Sequence, residues 1–197
     1  MNIQPYNFTQ QKNIRIGCSL MDQVRYTQRN CTDKEKINNF LLHERTGVLG
    51  MVSDTFPYAI PMNYVWHKGS IYFHGMGSGK KEDILSQSPH VCFTIYKEHG
   101  TVIDPMPCHA DTAYMSVMLF GKAEKVTDFE EAAEALQRLV DKYMPGYYSN
   151  SLTSNFIEKY RSSLDENPVS VYRITLAGMT AKENSVESEQ LFNSEIS

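Results

Sequence analysis

Long apolar runs are missing from this sequence. The longest, such as the SVMLF stretch from Ser116 to Phe120, are far too short to span a bilayer, so no membrane-spanning helix is expected. No basic segment leading into an apolar stretch opens the chain, which points away from a secretory leader and toward a cytoplasmic protein. Positive charge is not in surplus either. A formal net charge of −4 gives no general attraction to nucleic acid or anionic membranes, so any polyanion site must be local. The four cysteines, Cys18, Cys31, Cys92 and Cys108, form no C-x-x-C pair and match no zinc spacing. They are expected as free thiols, Cys92 as a small core residue, and no metal site is expected. Cys108 and His109 are adjacent but lack further partners at ligand spacing. No internal repeat or low-complexity block appears.

What is present suits one core with appended ends. The chain has 197 residues, of which 41% are hydrophobic, enough to bury a core without disulfides or metal. Residues 1–31 read as an N-terminal arm, 32–185 as the domain, and 186–197 as a polar tail. Thr32 and Glu35 form a capping-box pattern that predicts a helix over 33–44, with Ile37, Phe40 and Leu41 as its apolar stripe. The period then changes. TGVLGMV, PYAIPMNYVW and SIYFHGM are short β-rich runs separated by turn residues, which predicts an antiparallel meander. Pro61 should place the second of these at an edge or a bulge. KKEDILSQ predicts a short helix, HVCFTIYKE a fourth strand, residues 99–111 a loop, and residues 112–126 one bent strand or two. A second capping box, Thr127 with Glu130, opens the clearest helix, whose face Phe129, Ala133, Leu136, Val140 and Tyr143 reads as packing. Its acids Glu130, Glu131 and Glu134 read as a solvated face. A weaker helical signal covers 154–161, and PVSVYRITLAGMTAKE predicts a last strand. Consecutive strands joined by tight turns argue against a parallel sheet and for a closed antiparallel barrel with helices outside.

The stretch from Ser70 to Leu85, SIYFHGMGSGKKEDIL, asks for more. Gly75, Gly77 and Gly79 permit unusual backbone angles and close approach, Ser78 adds a hydroxyl, and Lys80 and Lys81 add cations at a helix start. These are the parts of an anion site, although the spacing is neither a Walker A loop nor a dinucleotide fingerprint. A solvated β-to-α turn is the alternative reading. His74 shares a strand face with Tyr72 and reads either as a hydrogen-bonded structural residue or as a catalytic one.

PYAIPMNYVWHKGSIYFHGMGSGKKEDILSQSPHVCFTIYKE, followed by YMSVMLFGKAEKVTD, resembles the FMN-binding split-barrel family that includes pyridoxamine 5′-phosphate oxidase. YFHG, the GKK turn and SVMLFGKAE are most similar to its 5-nitroimidazole reductase branch, linked to nitroimidazole resistance. The resemblance spans about Thr32 to Lys182. It implies a mainly β protein with flanking helices, a six-stranded antiparallel split barrel working as a homodimer with FMN in the subunit interface. It places Met62, Asn63 and Tyr64 along the flavin ring, and Ser78, Lys80 and Lys81 on its phosphate, with Lys80 first. It also places His74 beside the flavin as the catalytic group, and Ser116 near the cofactor. On the residues alone, Asn63 is equally a bulge residue, and Tyr64 and Trp66 are equally core. The arginine-rich C-terminal signature of the oxidases is absent: only Arg173 and Lys182 stand in that region, which argues against vitamin B6 oxidation. Gly79 also stands where oxidases often carry arginine. The function implied is an FMN-dependent oxidoreductase, or nitroreductase, reducing a small organic acceptor. NADH or NADPH is a candidate donor, although no nucleotide fingerprint is visible. The alternative is a flavin- or haem-binding split-barrel protein without turnover.

Overall fold

The computed structural model describes residues 24–54, 56–163 and 166–193. Most of the expected N-terminal arm, with Cys18, lies outside the described residues. Seven antiparallel strands form one curled sheet in the order β2-β1-β5-β6-β7-β4-β3. They are β1 (Thr46–Met51), β2 (Tyr58–Asn63), β3 (Val65–His67), β4 (Ser70–Gly75), β5 (His90–Val102), β6 (Asp111–Lys125) and β7 (Ser170–Asn184). Four helices accompany them: α1 (Lys34–His43), α2 (Lys80–Gln87), α3 (Phe129–Tyr143) and α4 (Ser154–Lys159).

The seventh strand, one more than expected, comes from a break rather than an insertion. β2 and β3 are separated by Tyr64 alone. β2 pairs with β1 at one end of the sheet, while β3 pairs with β4 at the other. The chain crossing Tyr64 therefore joins the two ends and turns the sheet into a split barrel. Pro61, opposite Val48, lies on the end strand β2, where a missing N–H costs no ladder bond.

Alternate residues fill the interior, and on β4 and β7 the outward Tyr72 and Val171 are buried as well, under α3. Leu49, Phe93, Ile95, Val117, Leu119, Ile71, Phe73 and Ile174 are all fully buried and come from five neighbouring strands. Two bulges bend the long strands, one on β5 between Glu98 and Gly100, the other where β6 passes β7 at Phe120 and Gly121. Gly121 must be glycine there: a Cβ would lie 2.2 Å from the Thr175 carbonyl oxygen. Pairing of β5 with β6 continues through Val102, so the expected loop is shorter than its sequence suggested.

Neither capping box forms; in both helices the cap is the next residue. The cap of α1 is Asp33, whose carboxylate accepts from the Glu35 and Lys36 amides, and that of α3 is Asp128, accepting from Glu130 and Glu131. Aspartate follows threonine in both places, and its charge suits the helix N-terminus better than a hydroxyl does. On α3 the buried residues are Ala132, Ala133, Ala135, Leu136 and Leu139, while Phe129 stays 45% exposed. Its acids are not a solvated face. Glu131 accepts from Tyr72 and from Arg173, both at 2.8 Å, Glu134 bonds His67 and Lys68, and Glu130 accepts from Ser154. Among the described residues, no helix is long and apolar enough to cross a membrane.

Candidate functional site

The break at Tyr64 determines what surrounds it. Its ring is fully buried, and its hydroxyl donates to the Leu41 carbonyl at 3.0 Å. Its backbone N–H, lost to any ladder, donates at 3.0 Å to the hydroxyl of Tyr143 from α3. That hydroxyl also contacts the Tyr64 and Arg45 carbonyls. α3 thus satisfies the split with a side chain. Trp66 is a core residue too, its indole N–H donating to Asn38 Oδ1 at 2.9 Å.

Either side of the break, Asn63 at the end of β2 and His74 near the end of β4 open onto one cleft of about 370 Å³. α3 and α4 supply most of its walls, chiefly Leu136, Val140, Met144, Phe156 and Ile157. The His74 side chain keeps contact with solvent. Even so, the surrounding protein and, second, the Lys81 charge hold its pKa below the usual imidazole value, so the neutral form is favoured. A neutral ring offers one donor and one acceptor nitrogen.

One residue past His74 begins the lysine turn. Gly79, at φ +92°, is the N-cap of α2 in a conformation that side chains resist. Gly77 rests on β7: a Cβ there would meet the Ser170 hydroxyl at 2.6 Å. Ser170 is fully buried and its Oγ has no partner in hydrogen-bond geometry. The same absent Cβ would lie 3.6 Å from the Lys125 ammonium, at the end of β6. Among the described residues, no carboxylate lies within ion-pair distance of Lys125.

The two adjacent lysines diverge. The Lys80 ammonium sits 4.5 Å from the centre of the Tyr58 ring. Lys81 folds back to donate to the Met76 carbonyl at 3.2 Å, its ammonium 3.9 Å from the centre of the Tyr172 ring. Burial pushes its pKa down, with Glu82 opposing and Lys125 adding to the effect. Ser78 is exposed in the turn.

Met62 is half-buried on β2, opposite Gly47. Ser116 lies elsewhere, between Tyr96 and Lys182 on β6, whereas His74 faces Val171 on β7. Those two partners are eleven steps apart along β7, roughly 35 Å of strand at 3.3 Å per residue. One protomer therefore brings Asn63 and His74 together, and Ser78 with the lysines, but not Ser116. Lys125 and Ser170 were missed by sequence reading. Nothing local marks them, because it is the pairing of β6 and β7 around the barrel that delivers them to the turn.

Residues 33–183 match the family profile for pyridoxamine 5′-phosphate oxidase. The chain belongs to that family. It is a flavin-binding, split-barrel group, in keeping with the sheet described above. The flavocytochrome Anf3 from Azotobacter vinelandii superposes with a TM-score of 0.68 at 23% identity, covering 88% of this chain and 76% of that one. An FAD- and haem-binding protein from Mycobacterium smegmatis gives 0.66 at 16% identity, covering 85% and 78%. A candidate 5-nitroimidazole antibiotic resistance protein from Bacteroides thetaiotaomicron gives 0.59 at 24% identity, covering 78% and 85%. At these identities the likeness is one of fold. No curated protein matches the sequence.

Proposed function

We propose that the protein is an FMN-dependent oxidoreductase of the pyridoxamine 5′-phosphate oxidase family, acting as a homodimer on a small organic acceptor such as a nitroimidazole-like compound. The observation that carries this reading is the β4–α2 turn. Gly79 has open space beside it, Lys81 and Lys125 converge on the turn, and Ser170 aims a buried, unpartnered hydroxyl at Gly77. The donor set fits a phosphate monoester, which takes several charge-assisted hydrogen bonds. Lys81 and Lys125 are better placed than Lys80: their ammonium groups lie 3.6 Å from where a Cβ would stand on Gly75 and Gly77, whereas the Lys80 ammonium lies over the Tyr58 ring. Asn63 would read the polar edge of the ring system, since an amide both donates and accepts.

A bound flavin supplies the redox chemistry, taking up and delivering a hydride or single electrons. The chain's residues do the rest. His74, held neutral, donates a hydrogen bond from its ring N–H to an acceptor oxygen at the cleft mouth, and that bond strengthens as negative charge develops there. The walls of α3 and α4 exclude water from the cleft. Ser116, on the far side of the barrel, would reach a cofactor only across a subunit interface, so the site is proposed to be completed by the partner subunit.

Purified protein is expected to show flavin absorbance, or to quench added FMN fluorescence on binding. Lys81→Ala and Lys125→Ala should each weaken FMN about tenfold, one charge-assisted hydrogen bond each. A colourless protein that takes up no FMN overturns the proposal. A second reading is a carrier that holds flavin or haem without turnover, in keeping with the flavocytochrome and the FAD- and haem-binding protein that share its fold. A Soret band, with no NADPH oxidation in the presence of a nitro acceptor, would select it.

A further inference from the structure

Twelve residues line the cleft at His74, and none of them is Lys, Arg, Asp or Glu. Its exposed lining is mostly apolar, from Leu136, Val140, Met144, Phe156, Ile157 and Val169. Asn63 and His74, from β2 and β4, bring polar groups to one end, and the Tyr160 hydroxyl, beyond α4, is the other polar group of the lining besides Tyr143. The Tyr143 hydroxyl is not free to add to them, being committed to Tyr64 and Arg45. The lysines of the neighbouring turn are absent from the lining, as is Arg173, which is drawn to Glu131 and Glu124 and lines a separate cavity with Glu131 and Glu134.

From this distribution, and resting on the flavin reading above, we infer that the cleft between α3, α4 and the β2–β3 break is the acceptor pocket. Its substrates are neutral, largely apolar ring compounds with one hydrogen-bond-accepting end directed at Asn63 and His74. A volume of about 370 Å³ is at the small end of the range for organic ligands, which suits one or two rings. A carboxylate or phosphate seated among the apolar walls would lose its hydration and find no cation in the lining. The cleft thus rejects phosphorylated substrates such as the one after which the family is named. Anion binding and acceptor binding are divided between two adjoining places: the lysine turn takes charge, and the helix-walled cleft takes apolar surface.

The test uses two molecules of similar size, neutral 4-nitrotoluene and anionic 4-nitrobenzoate, titrated calorimetrically into the full chain with and without FMN. 4-Nitrotoluene should bind, and 4-nitrobenzoate at least tenfold more weakly. Val140→Trp fills the cleft and should weaken 4-nitrotoluene at least tenfold while leaving the FMN affinity unchanged. Phe156→Ser, at a side chain already half exposed, should weaken it severalfold in a protein whose thermal melt confirms folding. Equal binding of the two compounds, or wild-type 4-nitrotoluene binding in both variants, overturns the inference. The two readings fail separately. Loss of FMN binding with the expected 4-nitrotoluene behaviour sinks the flavin assignment and leaves the cleft standing, whereas FMN bound with 4-nitrotoluene indifferent to both variants does the reverse.

Discussion

The two sides of the barrel are built differently. On one, β3, β4 and β7 lie beneath α3, and α1 packs on β3. That side is dense with polar contacts: Tyr143 at the break, Trp66 on Asn38, Tyr72 and Arg173 on Glu131, His67 on Glu134. On the other side, the outward row Pro61–Val48–Thr94–Met118–Thr180 crosses five strands without a charge. So does its neighbour, Ala59–Gly50–Cys92–Phe120–Gly178. Val48 is 43% exposed and Met118 37%. An uncharged outer face carrying exposed Val48 and Met118 above an apolar interior is a candidate contact surface. The helix-covered side is finished within one chain; the bare side is proposed to be finished by a second copy, which is also what would carry Ser116 to a flavin.

The largest expected effect breaks that contrast outright. Val48→Glu with Met118→Glu puts like charges at the centre of the proposed interface and should shift a dimer to monomer in light scattering. The cost should be a dissociation constant raised about a hundredfold or more, with FMN lost alongside. A wild-type protomer that is already solitary, or a doubly substituted protein that stays dimeric, removes the assignment of the bare face. Next comes the inner side of the same strand. Gly47 points inward, and a Cβ there would meet the Phe93 ring at 2.2 Å, so Gly47→Ala should cost about 1–3 kcal/mol in denaturant unfolding. Gly50, on the outer row, meets nothing closer than 3.3 Å, and the same substitution there should cost far less. Equal costs would mean that the inside-outside alternation of β1 is wrong.

On the covered side, Tyr143→Phe removes only a hydroxyl. It leaves the Tyr64 N–H buried without a partner and should cost about 1–3 kcal/mol, with no change in oligomeric state. That hydroxyl also shows where sequence reading reaches its limit. The alternation of β1 and β6, the proline on an edge strand, and the helices at 34–43 and 129–143 are local patterns, legible from periodicity and caps. The exchange of Thr32 for Asp33 as the cap is a one-residue choice between two good capping residues. The break at Tyr64 is different in kind. It is paid for by a tyrosine 79 positions away, and no window along the chain contains both. Ser170 and Lys125 beside Gly77 are of the same sort. The lysine turn could be suspected from its glycines, but the groups completing it depend on which strands close the barrel.

The smallest expected effect concerns acid, and it separates the two sides again. Burial, then the Arg138 charge, hold the His67 pKa below its usual value, with Glu134 pulling the other way. At His74, burial and Lys81 act in the same direction. A histidine whose pKa is lowered by folding takes up its proton more readily when unfolded, so its contribution is complete above about 6.5. That contribution is lost as pH falls from there through the folded-state value. Glu134 is held below the usual carboxylate range, first by its hydrogen bond from Lys68, so its contribution is lost only on further acidification below about 4.5. Tm should therefore decline modestly as pH falls from about 6.5, and fall again below about 4.5. His67→Gln should flatten part of the upper limb, and His74→Gln the remainder. Because both histidines lie at the helix-covered side, the same slope should persist in the monomeric Val48→Glu, Met118→Glu protein. A Tm that rises between pH 7 and 5.5 would show that the imidazoles are charged in the fold, and that His74 is not the neutral donor at the cleft.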